Sequence, residues 1–249
     1  MIFGTRQRID VLCTALLVGM LASCVVPRAH RVPPSQPAPQ APMPNPAMPV
    51  APPTQVERWQ VSSEQSLITI EVWRAGSMAR LGHNHVIAAR QITGELLLAQ
   101  PLQRSTVTLS LPVAAFSVDE PPLRALAGAD FSAAVPDSAR TATRANMLGA
   151  GLLDAGRFPE ISLQSQSILE TAAGVEMALQ IRLRDQVRVV PLAITLTRSN
   201  GTLTARGELS LRQSELGLTP FSVMMGALQV QDLMHLRFSI VAQRMGHGA

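Results

Sequence analysis

The residues best suited to chemistry in this chain are two histidines one position apart. Residues 80–85 read Arg-Leu-Gly-His-Asn-His, so that Asn84 separates His83 from His85. In an extended segment alternate side chains project from one face, as a chelating pair or a catalytic base with its partner requires. Gly82 and Asn84 favour a turn, which would point the two rings apart. Three interpretations stay open: a metal site, a polar rim around a ligand, and a structural turn.

A metal site at this pair needs partners that the sequence does not place beside it. Zinc requires at least a third protein ligand, which His235 or a carboxylate elsewhere in the chain would have to supply. The His-x-His segment of metal-binding cupin barrels is followed by a glutamate, whereas Ala89 and Arg90 stand at those positions. We therefore predict no metal and no cofactor, and keep a metal-dependent enzyme or metal carrier using His83 and His85 as the alternative.

Other catalytic patterns are absent from the sequence. It has no Gly-x-Ser-x-Gly turn, no phosphate-binding glycine loop and no His-Glu-x-x-His segment. Asp119 and Glu120 stand directly before Pro121 and Pro122, a position that favours a loop over a pair of catalytic acids. We predict that the protein is not an enzyme, and we assign no catalytic residue.

The N-terminal segment has the pattern of an export signal. Arg6 and Arg8 precede an apolar run over residues 11–22, which is too short and too one-sidedly basic for a membrane-spanning helix. The run closes on Leu-Ala-Ser before Cys24, which resembles a bacterial lipobox. We predict a lipoprotein signal peptide over residues 1–23 and lipid attachment at Cys24. An ordinary signal peptide cleaved nearby is the alternative.

The residues that follow predict a tether and one folded domain. Proline recurs every two or three residues up to residue 54, so we expect a semi-rigid linker over residues 24–54 and a single domain over residues 55–249. Acyl chains on Cys24 would hold the protein in the membrane, at the periplasmic face of a bacterial cell envelope. Val25 lacks the aspartate linked to inner-membrane retention, which favours the outer membrane.

Charge and cysteine content exclude some classes of protein. The net charge of +4 comes from arginines that are scattered singly and have no aromatic stacking partners, so we predict no nucleic-acid partner. Cys13 would leave with the signal peptide and Cys24 would be acylated. The mature chain would then have no disulfide and no thiolate metal ligand.

Alternation of apolar and polar residues dominates the predicted domain. It covers residues 68–72, 107–111, 175–184, 203–212 and 236–240, each typical of a strand with one buried face. Ser-Asn-Gly at residues 199–201 indicates a tight hairpin, because Asn-Gly accepts the positive φ angles of a primed turn.

One stretch breaks this alternation and indicates a helix. Residues 137–149 open on an aspartate and stop at a glycine, and a weaker helical turn follows Pro121 and Pro122. The sequence predicts a mainly β fold: an antiparallel, eight-stranded, lipocalin-like β-barrel with one inserted helix and short helical turns. A two-layer β-sandwich is the alternative, because periodicity does not distinguish the two.

Several segments together resemble the YceI-like family, described as polyisoprenoid-binding, lipocalin-like barrels. Residues 152–163 read LLDAGRFPEISL and residues 212–218 read RQSELGL, similar to two characteristic elements of that family. The resemblance covers about residues 59–244. Residues 62–66 read SSEQS and lack the histidine with which many members open. We interpret the Gly-His-Asn-His turn as the mark of a lipoprotein subgroup.

The resemblance implies binding, sequestration or transport of an isoprenoid-type or similar amphiphilic lipid inside the barrel. With only 3% aromatic residues and 11 methionines, the interior has room and can adapt to a chain. We expect the ligand to meet residues near the helix and the histidine turn: His83, His85, Arg140, Arg144, Met147, Leu148, Leu152, Phe158, Phe221 and Met224. A ligand-free barrel that acts as an envelope stress or assembly partner is a further alternative.

Overall fold

The computed structural model describes residues 55–246. The predicted signal peptide, Cys24 and the proline-rich linker lie outside these residues. The strands are β1 (Val56–Val61), β2 (Leu67–Ala75), β3 (His85–Ala89), β4 (Thr93–Ala99), β5 (Thr106–Pro112), β6 (Ser117–Val118), β7 (Glu160–Thr171), β8 (Gly174–Leu183), β9 (Gln186–Ser199), β10 (Thr202–Arg212), β11 (Ser222–Val223) and β12 (Leu228–Arg244). The helices are α1 (Pro121–Leu126) and α2 (Asp137–Leu148).

The strands form an antiparallel barrel in which each pairs with its neighbours along the chain. Three barrel strands are bent and consist of two consecutive segments each, namely β1 with β2, β3 with β4 and β5 with β6. They pair in that order, and β7, β8, β9, β10 and β12 complete a set of eight. The short β11 pairs with β12 outside this order.

The long last strand closes the barrel. β12 pairs with β10 along one edge, and along the other it pairs with β2 and then with β1, where Trp59 is opposite Arg244. This closure confirms the predicted eight-stranded barrel over a two-layer sandwich. Every strand pairing of the described residues lies within residues 56–244, so the barrel closes on its own strands. No helix in residues 55–246 is long and apolar enough to cross a membrane.

The predicted alternation sets which side chains enter the barrel. In β8, Met177, Leu179 and Leu183 are buried, whereas Glu176 and Arg182 on the opposite face are exposed. The alternating runs in β5, β10 and β12 follow the same pattern, because neighbouring side chains of a strand point to opposite faces. In β2 the polar Glu71 is buried as well, where it pairs with Arg237. The interior is therefore lined almost wholly by Leu, Ile, Val, Met and Phe.

Backbone conformation at two glycines fits the tight parts of the barrel. Asn200 and Gly201 have φ angles of 48° and 74°, which confirms the primed turn between β9 and β10. Gly94, at the start of β4, has a φ angle of 145°, and a Cβ atom there would be 2.1 Å from the carbonyl oxygen of Thr108. Glycine therefore permits the close approach of β4 and β5 after the bend.

The two helices stand at one end of the barrel, and both match the sequence prediction. α2 turns Ala139, Ala142, Thr143, Asn146 and Met147 toward the interior, a set with helical spacing. α1 packs outside the barrel, where Leu123 joins a small second core with Val86, Ala88 and Phe131.

The opposite end of the barrel is filled. Trp59 is fully buried, and the guanidinium of Arg198 lies 4.9 Å from the centre of its ring. Glu57 lies two residues earlier on the same face of β1. It accepts a hydrogen bond from Arg198 at 2.9 Å and forms an ion pair with Arg244 at 3.0 Å. The hydrogen bond from Arg198 is the main reason that the pKa of Glu57 is lowered.

We expect Trp59→Ala to reduce the free energy of unfolding by about 3–5 kcal/mol, because it leaves a void where a large aromatic side chain closes the barrel. Urea denaturation followed by circular dichroism measures this change. Leu169→Ala, at a half-exposed position on β7, is the control and should change it by about 0.5 kcal/mol or less. Equal effects of both substitutions would contradict the role given to Trp59.

Candidate functional site

The barrel encloses a cavity of about 470 Å³. Inward-facing side chains from nearly all the barrel strands line it, and through most of its length these are aliphatic. A volume of this size falls within the range of small-molecule sites in proteins. The interior is therefore hollow rather than filled by its own side chains.

Polar residues of the cavity lining gather at the end of the barrel that carries α2, which we call the mouth. They are Arg74, His83, His85, Thr143, Asn146, Gln213 and Gln229. These side chains supply hydrogen-bond donors and acceptors. No aspartate or glutamate of the described chain is among the lining residues. The site is therefore apolar inside and polar, without a carboxylate, at its opening.

His85 is held in place by a buried carboxylate. Its Nδ1 lies 2.6 Å from Oδ2 of Asp119, which is fully buried. Oδ1 of Asp119 accepts hydrogen bonds from the backbone N–H of Val86 at 2.9 Å and from Nη1 of Arg124 at 2.6 Å. Burial acts to raise the pKa of Asp119, but the hydrogen bonds from His85, Val86 and Arg124 outweigh it and lower this pKa.

Arg124 connects the carboxylate to the loops around the mouth. Besides Asp119, its guanidinium donates to the carbonyl oxygens of Asn84 at 2.7 Å, Phe131 at 2.7 Å and Ala133 at 2.9 Å. The buried charge of Arg124 is thus balanced by one carboxylate, and three further donors of its two Nη groups are used on backbone oxygens. The network ties the histidine turn, α1 and the segment before α2 together.

The charge of Asp119 decides which protons the His85 ring carries. Since a carboxylate accepts hydrogen bonds, Nδ1 of His85 is the donor. In the neutral ring Nε2 is then an acceptor, and the hydroxyl Oγ1 of Thr143 lies 3.3 Å away. The ring is fixed from both sides, with its edge exposed to the cavity.

His83 also faces the mouth, with its ring centre 6.1 Å from that of His85. Burial lowers the pKa of His83 most, and the nearby His85 and Arg124 lower it further. Neutral His83 offers one donor and one acceptor to a ligand. Within residues 55–246 no three His, Cys, Asp or Glu side chains form a group that could hold a metal ion.

The structure brings half of the ligand-contact residues predicted from the sequence to the cavity. His83, His85, Met147, Leu152 and Phe221 line it, whereas Arg140, Arg144, Leu148, Phe158 and Met224 do not. Arg140 pairs with Asp137 within α2 and donates to the backbone carbonyl oxygen of Asp119 at 3.4 Å. Arg144 donates to the carbonyl oxygens of Phe116 and Ala114. These two arginines therefore attach α2 to the barrel.

Sequence reasoning did not identify Asp119, Arg124, Arg74, Thr143 or Asn146 as parts of the site. The helical spacing of Thr143 and Asn146 with Met147 could have placed them on the cavity face of α2. Asp119 gives no such signal, because it reaches His85 across 34 residues of sequence.

A closed antiparallel barrel around an apolar cavity with a polar mouth defines a lipocalin-like binding protein. The chain belongs to the YceI-like family, whose domain model matches residues 59–242. This confirms the resemblance inferred from its segments. The search of curated proteins gave no match.

Solved structures share the fold at low sequence identity. The crystal structure of Burkholderia cenocepacia BcnA is 14% identical with a TM-score of 0.55, over 74% of this chain and 99% of BcnA. The crystal structure of the Campylobacter jejuni YCEI protein is 6% identical with a TM-score of 0.45, over 65% of this chain and 85% of the other. At 14% identity the likeness to BcnA shows the fold alone.

The pKa of Asp119 gives a test of the network that holds His85. Because this pKa is lowered in the folded protein, the charge of Asp119 contributes stability that is present above the ordinary value of 3.8 and is lost as the pH falls through the folded-state pKa. At neutral pH, Asp119→Asn should reduce the free energy of unfolding by about 3–5 kcal/mol, because Arg124 stays buried without its anion.

The difference in the free energy of unfolding between the wild type and Asp119→Asn should become smaller as the pH falls below 3.8. Urea denaturation at a series of pH values measures it. Asp137→Asn removes an exposed carboxylate that also pairs with an arginine, and should change stability by about 0.5 kcal/mol or less. A loss in Asp119→Asn that does not depend on pH would contradict the assignment.

Proposed function

We propose that this protein binds an isoprenoid-type or similar amphiphilic lipid, with the hydrocarbon tail inside the barrel and the polar head at the mouth. The observation that carries the proposal is the separation of the lining: aliphatic side chains along the cavity, and polar side chains at one end. An amphiphile has the same division along its length. The binding role would be sequestration or transport, with no chemical change of the lipid.

Burial of apolar surface supplies the affinity for the tail. Each square ångström removed from water contributes roughly 25 cal/mol, so a long chain needs few polar contacts. The polar groups at the mouth would then orient the head and select among lipids. An assembly partner without a ligand would have no use for the interior space, so the cavity favours a lipid-binding protein over that alternative.

The head group that fits the mouth is rich in hydrogen-bond acceptors. Arg74, Asn146 and Gln229 can donate, and neutral His83 can donate from one ring nitrogen. The absence of carboxylates from the described lining removes a source of repulsion for an oxygen-bearing or anionic head. A quinone carbonyl and a phosphate both meet this description.

Substitution on β10 tests whether the lipid occupies the barrel interior. Ala205 lines the cavity, while Thr204 beside it faces outward. We expect Ala205→Phe to reduce the amount of co-purifying lipid about tenfold by occupying tail space, and Thr204→Phe to leave it unchanged. Native mass spectrometry after gentle purification measures bound lipid. Wild-type protein without any bound amphiphile would contradict the proposed function.

We also propose that the protein is a lipoprotein attached through Cys24 at the periplasmic face of the bacterial cell envelope, in the outer membrane. The basic start, the apolar run and the Leu-Ala-Ser-Cys sequence support this. In cells fed a radiolabelled fatty acid, Cys24→Ser should abolish labelling of the protein and Cys13→Ser should retain it. Labelling that persists in Cys24→Ser would contradict the attachment site.

A further inference from the structure

Two loops beside the mouth carry an unusual density of exposed apolar side chains. Of the twelve large apolar side chains exposed in residues 55–246, five lie in these loops: Leu81, Phe221, Val223, Met224 and Met225. The loops cover residues 76–82 and 221–226, and we call them the apolar rim. The backbone N–H of Met78 donates to the carbonyl oxygen of Ala227 at 2.7 Å, so the two loops are joined.

The apolar rim is continuous with the cavity. Phe221 lines the cavity and is also exposed at its edge. Gly82, in the first loop, and Leu228, at the start of β12 just after the second loop, line the cavity as well. A hydrocarbon chain that leaves the mouth on this side would pass directly onto the exposed side chains of the rim.

The backbone presents two methionines at some energetic expense. Met224 and Met225 have φ angles of 52° and 55°, in the left-handed region that is unfavourable for residues with a Cβ atom. Their side chains gain no burial in return, since Met224 is 61% exposed and Met225 is fully exposed. Strain that produces exposed apolar side chains points to a function outside the fold.

We propose that the apolar rim docks the mouth on a phospholipid bilayer. The flexible thioether chains of Met224 and Met225 can enter an irregular layer of lipid chains. Residues 76–84 and 217–227 contain Arg80 and no aspartate or glutamate, so nothing in these loops repels an anionic surface. Contact with the bilayer also gives a lipid a path into the barrel that does not expose its hydrocarbon chain to water, an exposure that is unfavourable for every methylene group.

The purpose of membrane docking rests on the proposed function, but docking can be measured independently of lipid binding in the barrel. Residues 55–249 contain the closed barrel and no Cys24, so any attachment to vesicles comes from the domain. We expect this domain to float with vesicles of phosphatidylethanolamine and phosphatidylglycerol. Met224→Ser with Met225→Ser should lower the bound fraction about tenfold, because two side chains lose their transfer into the bilayer.

A matched control replaces two exposed apolar residues away from the rim. Leu169→Ser with Val189→Ser removes two half-exposed apolar side chains from β7 and β9 and should bind vesicles as the wild type does. Equal loss in both double variants, no flotation of the wild type, or a dimer that depends on Met224 and Met225 would overturn the proposal. The last result would assign the rim to a second copy of the chain.

A spectroscopic variant reports insertion directly. The emission of Met225→Trp should shift to shorter wavelength when vesicles are added, whereas that of Leu169→Trp should not. Emission of Met225→Trp that is unchanged by vesicles overturns the proposal. Ala205→Phe, which should lack bound lipid, still has the rim and should dock normally. Docking of this variant together with a lipid-free wild type would reject the proposed function and retain the rim, whereas lipid binding without flotation would reject the rim alone.

Discussion

Closure of the barrel by β12 is the constraint on which the rest of the structure depends. The strand is long enough to pair with β10 along one edge and with both β2 and β1 along the other. Without that closure the sheet would have two free edges and its apolar face would be open to water. With it, the same apolar face becomes the wall of an enclosed cavity.

The two ends of this barrel differ, since one is filled by side chains and the other is open. At one end Trp59 is covered by Arg198, and Glu57 pairs with two arginines. At the other end the charged pairs are displaced to the side, so that Asp119 and Arg124 neutralise each other behind His85. The opening is therefore lined by neutral polar groups and Arg74, and its outer edge is apolar. A ligand would enter at this end.

Several of the arginines make contacts that hold the fold together. Arg140 and Arg144 fasten α2, Arg124 fastens the loops, and Arg198 covers Trp59. Guanidinium groups suit this use because each offers several donors in a fixed plane, enough to satisfy many backbone carbonyl oxygens in loops. At these positions the positive charges make contacts within the fold.

Local sequence predicted most of the fold and part of the site. Alternation predicted which side chains of β8 and β10 enter the barrel, because successive side chains of a strand point to opposite faces. The glycine and asparagine at residues 200–201 fixed a hairpin, since few residues tolerate positive φ. From the sequence, His83, Met147 and Phe221 were predicted to lie near the ligand. These residues belong to the turn, the helix and the loop that were expected at one end of the barrel.

By itself the sequence determined the strands and α2, each of which depends on residues close together in the chain. The alternation left a sandwich open as well as a barrel, and closure of the sheet decided between them. Only the tertiary structure decided that the barrel is hollow, because side-chain packing across eight strands sets the interior volume. It also decided that Asp119 supports His85, while Arg140 and Arg144 turn away from the cavity. Charged side chains pair according to their distance in space, and Asp119 lies 34 positions after His85 in the sequence, so no local pattern predicts their contact.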